Sequence, residues 1–181
     1  MTNHILQLAH LEYLGDATRF ASQIQALLPR CSLLENFTPV DLRLLSHFMD
    51  VYRAAEGMEV IHEGDGGDFM LLVVEGRFEV RKQDSHNTPQ VIATVEPGRS
   101  LGEMSMIDGE PRFATCVALE PTLIAVLRRE NLARVVVEQP LIGAKIMMEL
   151  VLMLSQRLRA TSQRLLGLLD EQGHGASTSL L

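Results

Sequence analysis

The chain has 181 residues, of which 46% are hydrophobic and 22% are charged, and its formal net charge is −7 at pH 7. This length and hydrophobic fraction suit one folded domain with helical additions and exclude an intrinsically disordered chain. A protein that binds nucleic acid through its phosphates needs a basic face. The negative net charge therefore argues against a nucleic-acid-binding protein and against binding to acidic membranes.

The N-terminal region, residues 1 to about 50, is predicted to be helical. It lacks the basic and continuous apolar regions of a signal peptide, so we expect a cytoplasmic protein. Apolar residues recur at helical spacing between Ile5 and Leu28, and Pro29 ends this run. A second helix is predicted to start where Thr38 can cap and Pro39 can take the first helical position.

The middle of the chain, from about residue 51 to residue 127, is predicted to form strands. Short runs of apolar and β-branched residues alternate there with turns rich in Gly, Asp and Pro. The predicted strands cover 58–61, 69–74, 77–81, 91–95, 114–119 and 123–127. Glu75-Gly76 lies between two of these runs and predicts a tight hairpin. This spacing indicates an α+β fold, built on a β-roll or jelly-roll barrel of about eight strands with N-terminal helices and a long C-terminal helix.

Two helices are predicted after the strands, a short one over 129–137 and a long one over about 141–170. In the long helix a heptad pattern places apolar residues at both core positions, with Thr161 as the one polar member. The members of this seam are Ala144, Met147, Val151, Leu154, Leu158, Thr161, Leu165 and Leu168. The pattern predicts a homodimer through residues 144–168, and the alternative is that this face packs on the barrel of its own chain.

The stretch from Pro97 to Ala118 carries the densest set of residues that can bind a ligand. Gly102-Glu103 opens a short apolar helix, and Arg112 precedes a strand. A helix N-terminus and an arginine favour a phosphate, whereas Glu103 would repel it unless the carboxylate accepts a hydrogen bond from a sugar hydroxyl. The residues therefore suggest a phosphorylated ribose, although the spacing alone fits a surface Glu–Arg ion pair equally well.

The segment LGEMSMIDGEPRFATCVA, residues 101–118 and here called the cassette, resembles the phosphate-binding cassette of cyclic-nucleotide-binding domains. Upstream, HEGDGGDFMLLVVEGRFEV resembles the Gly-Asp turn, strand and Glu-Gly hairpin of the same family, and the resemblance extends over 37–170. It implies that Glu103 binds the ribose 2′-hydroxyl and Arg112 the cyclic phosphate. The other cassette residues that it implies at the ligand are Leu101, Gly102, Met104, Ser105, Phe113 and Ala114.

The segment QRLRATSQRLLGL resembles the long helix of the family's bacterial activators, in which a Thr-Ser pair contacts the adenine amino group. This implies base contacts from Thr161 and Ser162, the latter across a dimer, and a ligand contact from Arg157. The alternatives are a Thr161 hydroxyl bonded to a carbonyl of its own helix and a solvated Arg157. Phe113 replaces a small or hydroxylated residue of the family, and the missing Thr favours cyclic AMP over cyclic GMP.

The predicted organisation is a helical extension (1–36), a cyclic-nucleotide-binding β-roll (37–139), a dimerisation or lid helix (140–172) and a disordered tail (173–181). No recognition helix fits the tail, so we expect no direct DNA binding. The predicted function is a non-enzymatic sensor of cyclic AMP, with cyclic GMP as the second ligand, that acts on an unknown effector protein.

Two other functions are weighed against the sensor. The first is a scaffold that keeps the fold without the ligand, suggested by Phe113. The second is a metal enzyme of the cupin type, but His62 lacks the His-x-His partner that such a site needs. Cys31 and Cys116 are far apart with no ligand-like spacing, so we expect neither a disulfide framework nor a metal site.

Overall fold

The structure is a computed structural model that describes residues 8–175, except for the side chains of residue 168 and of residues 170–175. The strands are β1 (Glu12–Asp16), β2 (Met49–Ala54), β3 (Glu59–Ile61), β4 (Phe69–Glu75), β5 (Phe78–Gln83), β6 (Pro89–Val95), β7 (Ser100–Leu101), β8 (Thr115–Ala118) and β9 (Thr122–Arg128). The helices are α1 (Ala21–Gln25), α2 (Pro39–Ser46), α3 (Glu103–Asp108), α4 (Arg129–Glu138) and α5 (Pro140–Gly175).

The strands form two antiparallel sheets, which confirms the predicted α+β architecture. One sheet has the order β1-β2-β9-β4-β7 and the other the order β3-β8-β5-β6. In residues 8–175 the pairings leave two separate sheets and do not close into one barrel. One hydrophobic cluster lies between the sheets, and a second lies between the five-stranded sheet and the helices. β4 is buried on both faces because it contributes to both clusters, which explains its unbroken apolar sequence.

The predicted hairpin at Glu75-Gly76 is wrong. β4 pairs with β7 and β9, whereas β5 pairs with β6 and β8, so the chain changes sheets at this turn. Gly76 has a φ of 80°, and a Cβ there would lie 2.4 Å from Oγ1 of Thr122. A glycine is therefore required here for steric reasons. The reason is that the chain crosses between the sheets at this turn, and not that it forms a hairpin.

The N-terminal prediction is correct in part. Residues 12–16 form β1 instead of a helix, because they pair with β2 at the edge of the larger sheet, with an irregularity at Gly15. Ile5 lies outside the described residues. α1 is short and flanked by 3₁₀ turns, whereas α2 begins as predicted: Thr38 accepts from the Asp41 amide, and Asp41 accepts from the Thr38 amide.

α4 and α5 confirm the two predicted C-terminal helices, and α5 extends to Gly175. The predicted disordered tail thus begins within this helix, and its residues 176–181 lie outside the described part of the chain. α5 buries Ile142, Ile146 and Leu150 against its own chain. The predicted seam lies on another face, where Leu158 is 69% exposed and Leu165 is 58% exposed. In residues 8–175 no helix is long and apolar enough to cross a membrane.

Candidate nucleotide site

A cavity of about 610 Å³ lies between the four-stranded sheet, the start of α3 and the middle of α5. Nine of the eleven predicted ligand residues line it. They are Leu101, Gly102, Glu103, Met104, Ser105, Arg112, Phe113, Ala114 and Arg157. The cavity thus brings Glu103 and Arg112 of the cassette together with Arg157 of the long helix.

Glu103 is the first residue of α3 and is only 1% exposed. Its Oε1 pairs with Nη1 of Arg157, and Nη2 of Arg157 donates to the Ser100 carbonyl at 3.2 Å. Burial raises the pKa of the Glu103 carboxyl, and the Arg157 charge opposes this effect. The other oxygen, Oε2, is buried and has no hydrogen-bond partner within the described residues.

Arg112 lines the same cavity and is 3% exposed. Its Nη1 donates to the carbonyls of Phe69 at 2.9 Å and Gly102 at 2.8 Å, and the guanidinium carbon lies 4.3 Å from the centre of the Phe69 ring. Burial lowers the pKa of the Arg112 guanidinium. Its Nη2 is buried without a hydrogen-bond partner in the part of the chain that the structure describes. The cavity therefore holds one unsatisfied acceptor and one unsatisfied donor.

Two glycines make this position of Arg112 possible. A Cβ on Gly67 would lie 2.2 Å from Nε of Arg112, and a Cβ on Gly102 would lie 2.6 Å from its Nη1. Gly102 also has a φ of 81°, in the left-handed region that favours glycine. The backbone can therefore approach Arg112 closely at two places, the Gly-rich turn before β4 and the Gly-Glu pair of the cassette.

Phe113 turns outward from the cassette. Its side chain lies at the cavity mouth and is 56% exposed, with Nζ of Lys82 at 4.7 Å from the ring centre. Lys82 is itself held by Glu63 at 2.5 Å. The ring therefore leaves the space between Glu103 and Arg112 open, contrary to what the scaffold alternative predicts.

Thr161 and Ser162 are exposed, and neither is among the residues that line the cavity. The Ser162 hydroxyl donates to the Leu158 carbonyl of its own helix at 2.9 Å. This is the kind of bond that was the alternative for the neighbouring residue, Thr161. Arg164 lines the cavity instead. Sequence analysis missed Arg164, although it lies seven residues after Arg157 and this spacing places both on one face of a helix.

Sequence analysis also missed Arg99 and the β6 residues Ile92 and Thr94, which complete the mouth. β6 is an edge strand that is exposed along almost its whole length, so its pattern carries no sign of which residues face the cavity. Their position depends on how the β5–β6 pair bends over the cassette, which is a tertiary feature.

Comparison with known proteins agrees with this geometry. The family model of the cyclic nucleotide-binding domain matches residues 52–139. A crystal structure of a cyclic nucleotide-binding domain from Methylobacillus flagellatus is 35% identical, covers 90% of this chain and 91% of that chain, and superimposes with a TM-score of 0.79. The chain belongs to the cyclic nucleotide-binding domain family.

Other members of the family are longer proteins. The Cyclic AMP receptor protein of Thermus thermophilus is 27% identical over 127 residues, which are 70% of this chain and 57% of that protein. The crystal structure of the Thermus thermophilus Catabolite Activator Protein is 26% identical, covers 76% of this chain and 62% of that chain, and has a TM-score of 0.70. The chain thus spans little more than half of the curated relative that it matches over most of its own length.

The histidine and the two cysteines considered in the sequence show no arrangement for metal binding or disulfide formation within the described residues. His62 lies 3.8 Å from Asp65 on the surface, and the described residues contain no group of three or more His, Cys, Asp or Glu side chains placed to hold a metal ion. Cys31 and Cys116 are free and buried. Burial raises the pKa of the Cys31 thiol to about 11 and that of Cys116, at the cavity wall, to about 12.

Proposed function

We propose that this chain is a regulatory domain that binds a cyclic purine nucleotide, with cyclic AMP as its first ligand, and that it performs no catalysis. The observation that carries this proposal is the pair of unsatisfied atoms, Oε2 of Glu103 and Nη2 of Arg112, buried in one cavity. A buried polar group without a partner costs about 1–3 kcal/mol, so such a pair fits a ligand that offers a donor to Glu103 and an acceptor to Arg112. The Thermus relative, a Cyclic AMP receptor protein, supports the choice of ligand.

The proposed contacts follow from the free atoms. Nη2 of Arg112 donates to the cyclic phosphate, and Oε2 of Glu103 accepts from the ribose 2′-hydroxyl. Arg157 holds Oε1 and neutralises the carboxylate that burial disfavours, so that Glu103 can accept while Oε2 stays free. The outward position of Phe113 supports ligand binding over the scaffold alternative.

Isothermal titration with cyclic AMP and cyclic GMP tests the proposal. We expect binding to the wild type and a loss of at least about thirtyfold in affinity for Arg112→Ala, because removing one partner of a buried charged pair costs about 2–5 kcal/mol. Arg159→Ala, on the exposed part of α5, is the matched control and should bind normally. The proposal fails if neither nucleotide gives heat or a melting shift at concentrations of hundreds of micromolar, or if Arg112→Ala binds as tightly as the wild type.

The proposed output passes through α5. Val151, Leu158 and Leu165 are each more than half exposed on the predicted seam, and this apolar row supports a homodimer in which the ligand changes the position of the helix. We place its action in the cytoplasm, on a separate effector protein.

Sedimentation equilibrium tests the seam. Leu158→Glu should convert the dimer to a monomer, because it places two carboxylates at a central core position. Gln163→Glu adds the same charge outside the seam and should leave the dimer intact. A wild-type protein that sediments as a monomer, or a dimer that Leu158→Glu leaves unchanged, would contradict the proposed interface.

A further inference from the structure

The side chains at the mouth of the cavity take no part in the proposed ribose and phosphate contacts. Glu103 and Arg112 are buried and mark the inner end, whereas Ile92, Phe113 and Arg164 are exposed and mark the mouth. If ribose and phosphate are bound at the inner end, as proposed above, the purine base extends toward the mouth. A polar side chain at the mouth can therefore contact the base, and this inference rests on the proposed function.

Arg164 is the polar side chain of α5 that reaches this part of the cavity. It follows Arg157 by two helical turns, about 10 Å along the axis. Arg157 points at Glu103, so Arg164 lies on the same helix face and further out, where the base must be. Thr161 lies between them in the sequence and is not among the residues that line the cavity.

A guanidinium has five N–H donors and no acceptor. Guanine and hypoxanthine present a 6-oxo group and N7 as two adjacent acceptors, which an arginine binds as a fork, whereas adenine presents a 6-amino donor beside N7. Among the described side chains that line the cavity, Glu103 is the one carboxylate and there is no Asn or Gln. The mouth is thus rich in donors and offers a 6-amino group few acceptors.

We propose that Arg164 is a specificity-determining residue that opens this site to cyclic nucleotides with a 6-oxo purine, by donating to O6 and N7 of the base. Cyclic GMP then binds through Arg164, whereas cyclic AMP binds through the inner contacts with little help from it. This assigns the recognition of the 6-oxo ligands within the proposed function to one side chain.

Titration calorimetry with cyclic AMP, cyclic GMP and cyclic IMP tests the proposal on the full chain. Cyclic IMP has the 6-oxo group and N7 but no 2-amino group, so it isolates the proposed contact. We expect Arg164→Ala to weaken cyclic GMP and cyclic IMP about tenfold, the usual effect of losing one bidentate contact to a base. Cyclic AMP should change less than about threefold, since the charge at this exposed position acts only weakly. Arg164→Lys keeps the charge without the fork and should behave as Arg164→Ala does for the 6-oxo ligands.

Each other outcome overturns the proposal. Equal losses for the three ligands would mean that Arg164 stacks on the base or only attracts charge, and full retention by Arg164→Lys would mean that the fork is not used. Loss for cyclic GMP without loss for cyclic IMP would mean that O6 and N7, which both bases share, are not the atoms that Arg164 binds. Cyclic AMP binding that needs Arg112, with no binding of the 6-oxo ligands, would overturn the role of Arg164 and leave the proposed function standing. If no nucleotide binds the wild type, both proposals fall.

Discussion

Replacing Arg157 by leucine tests how the buried carboxylate of Glu103 is held. In the wild type this carboxylate is 1% exposed and pairs with Nη1 of Arg157. A hydrogen bond to a charged group contributes about 1.5–3 kcal/mol to stability. Because the Arg157 side chain is 46% exposed, water screens the pair, and we expect a loss in the lower part of that range, about 1.5–2 kcal/mol near neutral pH.

This loss should depend on pH with a definite sign. Burial raises the pKa of Glu103 in the native state. The free energy of unfolding therefore falls as pH rises from the ordinary pKa of a glutamate through the raised value, because Glu103 then ionises in a buried place. The Arg157 charge reduces this loss of stability only when Glu103 is ionised. We therefore expect Arg157→Leu to cost more stability near neutral pH than at about pH 4.3, the ordinary pKa of a glutamate, because a raised pKa favours protonated Glu103 at the lower pH.

Urea denaturation at the two pH values, followed by circular dichroism, measures both free energies of unfolding. Arg159→Leu is the control, since Arg159 is exposed on the same helix, and it should have no effect at either pH. A loss for Arg157→Leu that is the same at both pH values would refute the reasoning, because it would come from packing of the side chain and not from the charge on Glu103.

Three further predictions concern the same cavity. Gly102→Ala should destabilise the fold by about 1–2 kcal/mol and weaken nucleotide binding, measured by thermal melting and titration, because the residue is left-handed and its Cβ would meet Arg112. Phe113→Thr should change the free energy of unfolding by less than about 0.5 kcal/mol and leave cyclic AMP affinity unchanged, since the ring is mostly exposed. Cys31 and Cys116 should resist iodoacetamide in the native protein at about pH 8 and react after denaturation, as mass spectrometry would show, because burial holds their pKa values at about 11 and about 12.

The glycine variant has a matched control, and each of the three predictions has an outcome that would contradict it. Gly167→Ala adds the same methyl group in an exposed helical position with no atom within 4 Å, and it should stabilise the helix by up to about 1 kcal/mol. If both glycine variants melt alike, the close approach to Arg112 is not the cause. If Phe113→Thr abolishes binding, the ring takes part in the site in spite of its exposure. Rapid alkylation of either native thiol would contradict its burial.

The features that sequence analysis predicted correctly are local ones. The Thr38–Asp41 capping box and the bounds of α4 depend on residues within one or two turns of each other. Glu103 and Arg112 are separated by a single short helix, so a motif of fixed length places both at one cavity. Each of these needs only short-range geometry, which residue types and their spacing determine.

The features that it missed depend on distant parts of the chain. Glu75-Gly76 correctly marks a turn, but whether the next strand pairs with the last one or joins another sheet is decided by β7, β8 and β9, far along the sequence. In the same way, whether Thr161 or Arg164 faces the cavity depends on how α5 lies across the cassette. Helical spacing allows both, and in the structure Arg164 lines the cavity whereas Thr161 does not.

One row of side chains on α5 connects the cassette to the N-terminal part of the domain. The row has four members at intervals of four residues, Lys145, Glu149, Met153 and Arg157. They contact Asp41, Asn36, the Ser100 hydroxyl and Glu103 respectively, and Arg157 also binds the Ser100 carbonyl. The first two contacts hold α5 to α2 and to the turn that precedes it, and the last two hold it to β7 and to the first residue of α3. Since α5 buries no described apolar side chain beyond Met153, Arg157 is the last side chain in this row that ties the helix to the sheets. In the proposed complex, the ribose hydroxyl that shares Glu103 with Arg157 therefore acts at the point where α5 stops burying apolar side chains and its exposed half begins.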